Sequence, residues 1–206
     1  MSQSTPSIDP HRTALLVMDY QPSVLASLDE TEHLLDHVQD AIATLRRHGG
    51  HIAYVRVAFD TADVDAIPEH SRMYRIAQLA RDHLHKDAPA TAVHARLAPE
   101  AGDIVVRKTR VGAFSTTDLD EQLRARGITT LLLAGVSTSG VVLSTVRDAH
   151  DRDYTVYVLA DATADPKPHV HEFLTEHVFP TQADVITVSG LKRLFDDTMK
   201  REGEGN

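Results

Sequence analysis

The chain has 206 residues, enough for one well-buried core and too few for two typical domains, so a single domain over 1–206 is expected. Its formal net charge of -9, from 21 lysines and arginines against 30 aspartates and glutamates, argues against nucleic acid or an anionic membrane as partner and for a small molecule or another subunit. The absence of cysteine excludes disulfides, thiolate metal sites and a thiol nucleophile, and suits a reducing, cytoplasmic setting. No apolar run approaches about 20 residues and the first eleven residues are polar with two prolines, so neither a membrane span nor a secretory segment is expected. Order is expected over about 12–200, with short flexible termini at 1–10 and 201–206.

In chain order, Thr13-Ala-Leu-Leu-Val-Met18 is almost wholly apolar, which suits a central parallel strand covered on both faces, and it stops at Asp19. Residues 32–48 carry Leu34, Leu35, Val38, Ile42 and Leu45 on one helical face and close on Gly49-Gly50, a glycine stop. A second strand at 51–59 completes a βαβ unit. Residues 60–100 are less regular, divided by Pro68, Pro89 and Pro99 around a helical piece at 71–85, and are expected to form a lid or subunit contact. A third strand, 102–108, ends at Lys108, and a helix at 118–126 follows with Thr117 as its cap. A fourth strand at 129–134 reaches Gly135, read as a backbone turn, and a helix begins near Ser139 with Val142, Thr145, Val146 and Ala149 inward. Residues 154–159 form a fifth strand ending at Asp161, 168–178 a helix, 183–188 a sixth strand and 191–200 the last helix. This alternation predicts an α/β fold, a three-layer α/β/α sandwich with a six-stranded parallel sheet.

In such a sheet Asp19, Lys108 and the turn Val136 to Val141 fall on one edge, where ligands bind. A carboxylate and an ammonium together in a crevice shift each other's protonation and can serve as acid, base or anchor. Taken singly, a strand-end Asp or Lys is more often a solvated edge charge or a helix cap. Of the 13 histidines, His171-Glu172 resembles a zincin start, but His177 lies about 240° further round a helix, so no metal site is expected.

Asp19-Tyr-Gln21 after an apolar strand, Lys108 followed by Ala113-Phe114, Gly135-Val-Ser-Thr138 with Val142, Thr145 and Asp148-Ala149, and then Asp161-Ala162, resemble the isochorismatase-like hydrolase superfamily, often called cysteine hydrolases. The resemblance runs from about Thr13 to Leu194. It implies a three-layer parallel-sheet fold, a homo-oligomer (dimer or tetramer), no cofactor, and a pocket with an Asp, a Lys and a Cys. Asp19 and Lys108 take the first two roles. The resemblance also implies a cis peptide at Val136-Ser137, and a substrate site formed by Gln21, Phe114, Val136, Ser137, Thr138 and Gly140.

The nucleophilic cysteine of the family pattern falls at Val141, which cannot attack a carbonyl. Ser137, Thr138, Ser139 and Ser144 lie nearby, but the stretch misses the G-x-S-x-G elbow at its last residue and no histidine is obviously placed as base. The isochorismatases proper carry glycine at this position and cleave a vinyl ether, for which Asp19 could be the acid; Val141 is bulkier than the glycine used there. The expectation is a hydrolase acting on a small molecule by a cysteine-independent route, with Asp19 as acid or base, Lys108 orienting it, and amides around Val141 receiving negative charge. The alternative is a ligand-binding or assembly protein that keeps the fold without the reaction.

Overall fold

The first strand is apolar at every position after Thr13 because both of its faces are covered. In the computed structural model, which describes residues 8–204 apart from residue 80, β1 (Thr13–Met18) is buried throughout. Leu15 and Val17 enter one core, while Ala14, Leu16 and Met18 enter the other. All six strands are parallel, in the order β3-β2-β1-β4-β5-β6. After β1 come α1 (Pro22–Leu25), α2 (Glu32–Arg47) and β2 (His51–Val57). The insert carries α3 (Thr61–Asp65) and α4 (Arg72–Leu79) before β3 (Ile104–Lys108). Then follow α5 (Leu119–Ala125), β4 (Thr130–Val136), α6 (Leu143–Asp151), β5 (Thr155–Ala164), α7 (Pro168–Phe173), β6 (Asp184–Ile186) and α8 (Val188–Glu204).

Helices α2 and α8 cover one face through Leu35, Val38, Leu45, Leu191 and Phe195; α5 and α6 cover the other through Leu119, Leu123, Val146 and Ala149. Each such leucine or phenylalanine removed from water contributes about 1.5–3 kcal/mol, which is why the apolar stripes decide the layers. The expected three-layer sandwich is therefore present. The chain winds outward from β1 to β3 and then returns to β4 on the other side of β1, so the topological switch point lies between β1 and β4. Asp19 and Ser137 follow those two strands.

Several boundaries differ from the sequence reading. β5 continues five residues beyond Leu159, past Asp161 to Ala164, with a register shift opposite Leu133 and Gly135. Gly135 is not a turn: it lies within β4, where a Cβ would stand 3.0 Å from the Val142 side chain and 3.2 Å from Met18, so its smallness admits neighbours rather than a bend. Residues Thr138–Val142 form one wide π-type turn, and the regular helix begins only at Leu143. The helix expected over 168–178 changes to a π-type turn at Leu174–Val178. Thr117 lies one residue before the α5 cap position, Asp118, and its hydroxyl accepts the Leu119 amide at 3.3 Å. The last helix starts at Val188 and reaches Glu204, where flexibility was expected; residues 1–7 and 205–206 of the expected flexible ends lie outside the described residues.

The insert packs on its own chain. Phe59, Val64, Ile67 and Ala77 make a small separate core, and Arg96 reaches back to Glu32, Asp36 and Gln39 of α2. No helix among the described residues is long and apolar enough to cross a membrane.

Candidate active site

The site begins where β1 stops. The Asp19 amide still donates to Val55 O at 2.8 Å, as a ladder residue would, but the backbone then turns into the left-handed region, φ 60°. That conformation is uncommon outside glycine, although Asp tolerates it better than most residues. It is followed by a carboxylate bridging to the end of β3, two strands away. Asp19 Oδ2 lies 2.9 Å from Lys108 Nζ, with side-chain exposures of only 7% and 3%. The ammonium also donates to Arg110 O at 3.1 Å and Val111 O at 3.0 Å, so its three donors are all engaged. Among the described residues Asp19 Oδ1 is buried with no hydrogen-bond partner, although the nearby Val57 backbone also works to lower the group.

Burial pushes the Asp19 carboxyl up from 3.8 to about 6, against the downward pull of the Lys108 ammonium. A buried ion pair of this kind adds little net stability, because removing both charges from water offsets their attraction. Asp19 therefore combines three features that stability alone does not favour: a left-handed backbone, a buried charge and an orphaned oxygen. Such a concentration of cost at one residue points to function.

Gln21 was expected to bind substrate, but its side chain is committed to the scaffold. Nε2 donates to Val57 O and Thr91 O, both at 2.8 Å, and Oε1 accepts Val57 N at 2.8 Å. Both amide protons are thereby used. The Tyr20 hydroxyl likewise ties this segment to Ala162 O of β5. Phe114, expected as a pocket wall, is buried in the core beneath α5 and α6, with its ring 6.2 Å from that of Tyr154 and with Arg152 above it.

The second half of the site follows β4. The peptide Val136-Ser137 is cis, as the resemblance implied. Val136 is buried at the strand end, and Ser137 O accepts Gly140 N at 3.2 Å and Val142 N at 3.3 Å. A Cβ at Gly140 would stand 2.7 Å from Ser137 Oγ, which accounts for the glycine. Val141 is buried with the apolar side chains of the α5 and α6 face. The amides of this turn were expected to await a negative charge, yet three are already engaged, two by Ser137 O and one by a carboxylate. Asp165 Oδ2 accepts both Ser139 N at 2.8 Å and Ser139 Oγ at 2.6 Å, while Oδ1 accepts Lys167 N at 3.1 Å. Burial works to raise this carboxyl, but the Ser139 hydroxyl and amide and the Lys167 amide outweigh it and hold the group below its ordinary value.

The expectation that no histidine serves these hydroxyls is also overturned. His171 Nδ1 lies 2.8 Å from Thr138 Oγ1. Burial lowers the His171 pKa, against the raising influence of Asp165 and Glu172, which keeps the imidazole neutral near pH 7.

Asp165 and His171 were missed for one reason. With β5 ended at Asp161, the loop after it was placed too early, and the small alternating Ala162-Thr163-Ala164 gave no apolar signal that the strand continues. The run Thr138-Ser139, two hydroxyls needing acceptors beside a strand end, was the available clue.

The isochorismatase domain family matches residues 13–189 of this chain. The isochorismatase family protein YwoC of Bacillus subtilis (strain 168) is 32% identical over 181 residues, covering 86% of this chain and 90% of its own. A ureidoacrylate amidohydrolase, RutB, of Methylorubrum extorquens is 33% identical over 182 residues, covering 79% of this chain and 73% of its own. Among solved structures, a cysteine hydrolase from Pseudomonas syringae pv. phaseolicola 1448A superposes with a TM-score of 0.84 at 25% identity, covering 96% of this chain and 100% of its own.

Proposed function

The chain belongs to the isochorismatase family, and from that premise we propose that it hydrolyses a small carbonyl compound, an amide or ester, without a cysteine. The observation that carries this reading is the buried, unpartnered Oδ1 of Asp19. An oxygen in that state gains most from a molecule that brings it a proton or a hydrogen bond. Its acidity, near 6, lets the group pass between acid and base around neutral pH. Lys108 has no donor left for substrate, so its part is to hold Oδ2 and to keep the carboxyl from rising further.

Asp19 gives a proton to the departing nitrogen or oxygen and recovers one from the attacking water. The amide class is favoured because a relative sharing a third of its residues is named an amidohydrolase. The chemistry at position 141 supports a cysteine-free route, since valine offers neither thiol nor hydroxyl.

The decisive experiment is turnover on a panel of amides, ureides, esters and vinyl ethers. Asp19→Asn is expected to lower kcat/KM by about 100- to 10,000-fold on whichever substrate the wild type cleaves. Wild-type rates should change with pH around an apparent value near 6. A variant that keeps full turnover would remove Asp19 from the mechanism. Binding of panel members with no turnover would favour the second reading, a ligand-binding protein on the same fold, to which the missing thiol also points.

A further inference from the structure

We infer that the protein pairs with a second copy of itself, α4 of each subunit receiving α7 of the other. Among the described residues four large apolar side chains lie open to solvent, and the two most exposed are Phe173 at 58% and Ile76 at 54%. A single exposed apolar side chain needs no explanation. These two are set apart by their surroundings, which are opposite in shape and in charge.

Ile76 lines a groove of about 580 Å³ at the start of α4, together with Arg72 and Arg75. Both arginines are exposed, and neither makes an ion pair among the described residues. Glu69 is the one acid lining the groove, so cations prevail there. Phe173 is the converse, a knob at the end of α7, with Glu172 before it and Glu176 in the turn that follows, both exposed. Neither glutamate pairs with a lysine or arginine among the described residues; Glu176 has only His177, 3.9 Å away. The Phe173 ring stands edge-on to His177 at 5.4 Å, which limits its freedom in advance and lowers the ordering cost of binding.

The fold puts both patches where one rotation can use them. The excursion carrying α4 leaves β2 and returns beside it, the Phe59 amide donating to Leu84 O at 2.9 Å, so α4 stays at the edge where the strands end. Helix α7 follows β5 at the same edge, where His171 meets Thr138, just beyond β4, at 2.8 Å. In the sheet, β2 and β5 flank the central pair β1 and β4. A two-fold axis between the patches therefore brings α4 onto the partner's α7 and, by the same operation, α7 onto the partner's α4. Each contact has Ile76 against Phe173 at its centre and arginines facing glutamates at its rim, an apolar anchor within charged surroundings. The chain supplies both halves of the complement. With a net charge of -9 its copies repel at a distance, so an ordered pairing needs a local cationic patch of this kind.

The pairing does not depend on the chemistry at Asp19, and its test reads mass alone, by sedimentation velocity and light scattering of the full chain at micromolar concentration. The wild type is expected at twice the chain mass of 22.7 kDa. Arg72→Glu with Arg75→Glu, or Glu172→Arg with Glu176→Arg, sets like charges against each other at both contacts and should raise the dissociation constant by about 100-fold or more. Mixing these two variants in equal amounts restores opposite charges at both contacts, reversed at one and native at the other, and should return the dimer. A chain carrying all four changes should pair by itself, and Phe173→Ala should weaken the wild-type dimer by about 30-fold. A wild type that stays monomeric, a dimer that survives both charge reversals, or a dimer that a reversal breaks and mixing does not restore would overturn the assignment. Misfolded chains do not recover on mixing, so the restored dimer separates a lost contact from a lost fold.

Discussion

Asp19 and Asp165 follow the ends of two parallel strands with β4 between them, and their surroundings drive them in opposite directions. Both are largely covered. Asp19 meets one ammonium, with a smaller lowering from the Val57 backbone, and leaves one oxygen without a hydrogen bond among the described residues, so burial prevails and its carboxyl rises to about 6. Asp165 collects two amides and a hydroxyl, so hydrogen bonding prevails and its carboxyl falls below the ordinary value. The lesson is that burial alone does not set a carboxylate's behaviour; the number of donors presented to it does. One group is left able to exchange a proton, and the other is a fixed negative charge that fills the turn before α6.

The harshest way to break this contrast is Lys108→Met, which leaves Asp19 buried with no cation. A loss of about 3–5 kcal/mol is expected in urea unfolding at pH 7. The loss should shrink toward pH 5, where Asp19 takes up a proton. A deficit that does not depend on pH would mean that the two carbonyls held by Lys108, rather than the carboxylate, account for it.

Next in size is the pH dependence of Asp19→Asn. The folded value near 6 lies above 3.8, so the stability contributed by protonated Asp19 is complete below about pH 4 and is lost as pH rises through 6. A gap of that size corresponds to about 3 kcal/mol. Between pH 4 and pH 7 the wild type should therefore lose up to about that much relative to the variant, as read by thermal unfolding across the range. Parallel curves would show that Asp19 titrates like an exposed carboxylate.

The smallest effect is expected of Asp165→Ala, at about 1–2 kcal/mol, the usual value of a helix-start acceptor. Its sign with pH is the reverse. The lowered carboxyl contributes above its unfolded value and ceases to do so as pH falls through the folded value. The penalty should be flat from pH 5 to 8 and fade in stronger acid. A penalty that grows instead toward low pH would erase the distinction between the two carboxylates.

How much of this was legible in the chain depended on how far each residue's reasons lie from it. β1 could be read directly, because five consecutive apolar residues, Ala14 to Met18, need two covered faces. The pairing of Asp19 with Lys108 followed from strand ends sharing an edge, an argument that needs only alternation and parallel order. Gln21 could not be read in this way: its partners, Val57 and Thr91, are 36 and 70 residues away, and nothing local shows that both amide protons are used. Gly135 was misread because a glycine at a strand end signals a turn as readily as a close approach, and the neighbours requiring space, Val142 and Met18, lie in the following turn and on another strand. Asp165 and His171 were hidden behind a strand whose last residues are too small to look buried.

The insert between β2 and β3 is pinned to the rest of the molecule at residues 20 and 21: Thr91 O accepts from Gln21, and the His94 amide donates to Tyr20 O at 2.8 Å. Both pins lie within two residues of the carboxylate that titrates near 6. The same insert is also tied to α2 by Arg96 and to β3 by the Arg107–Asp63 pair. Residues 91–94 thus help to fix the short segment that follows Asp19. The position of the carboxylate at the end of β1 therefore depends on contacts made some 70 residues later in the chain.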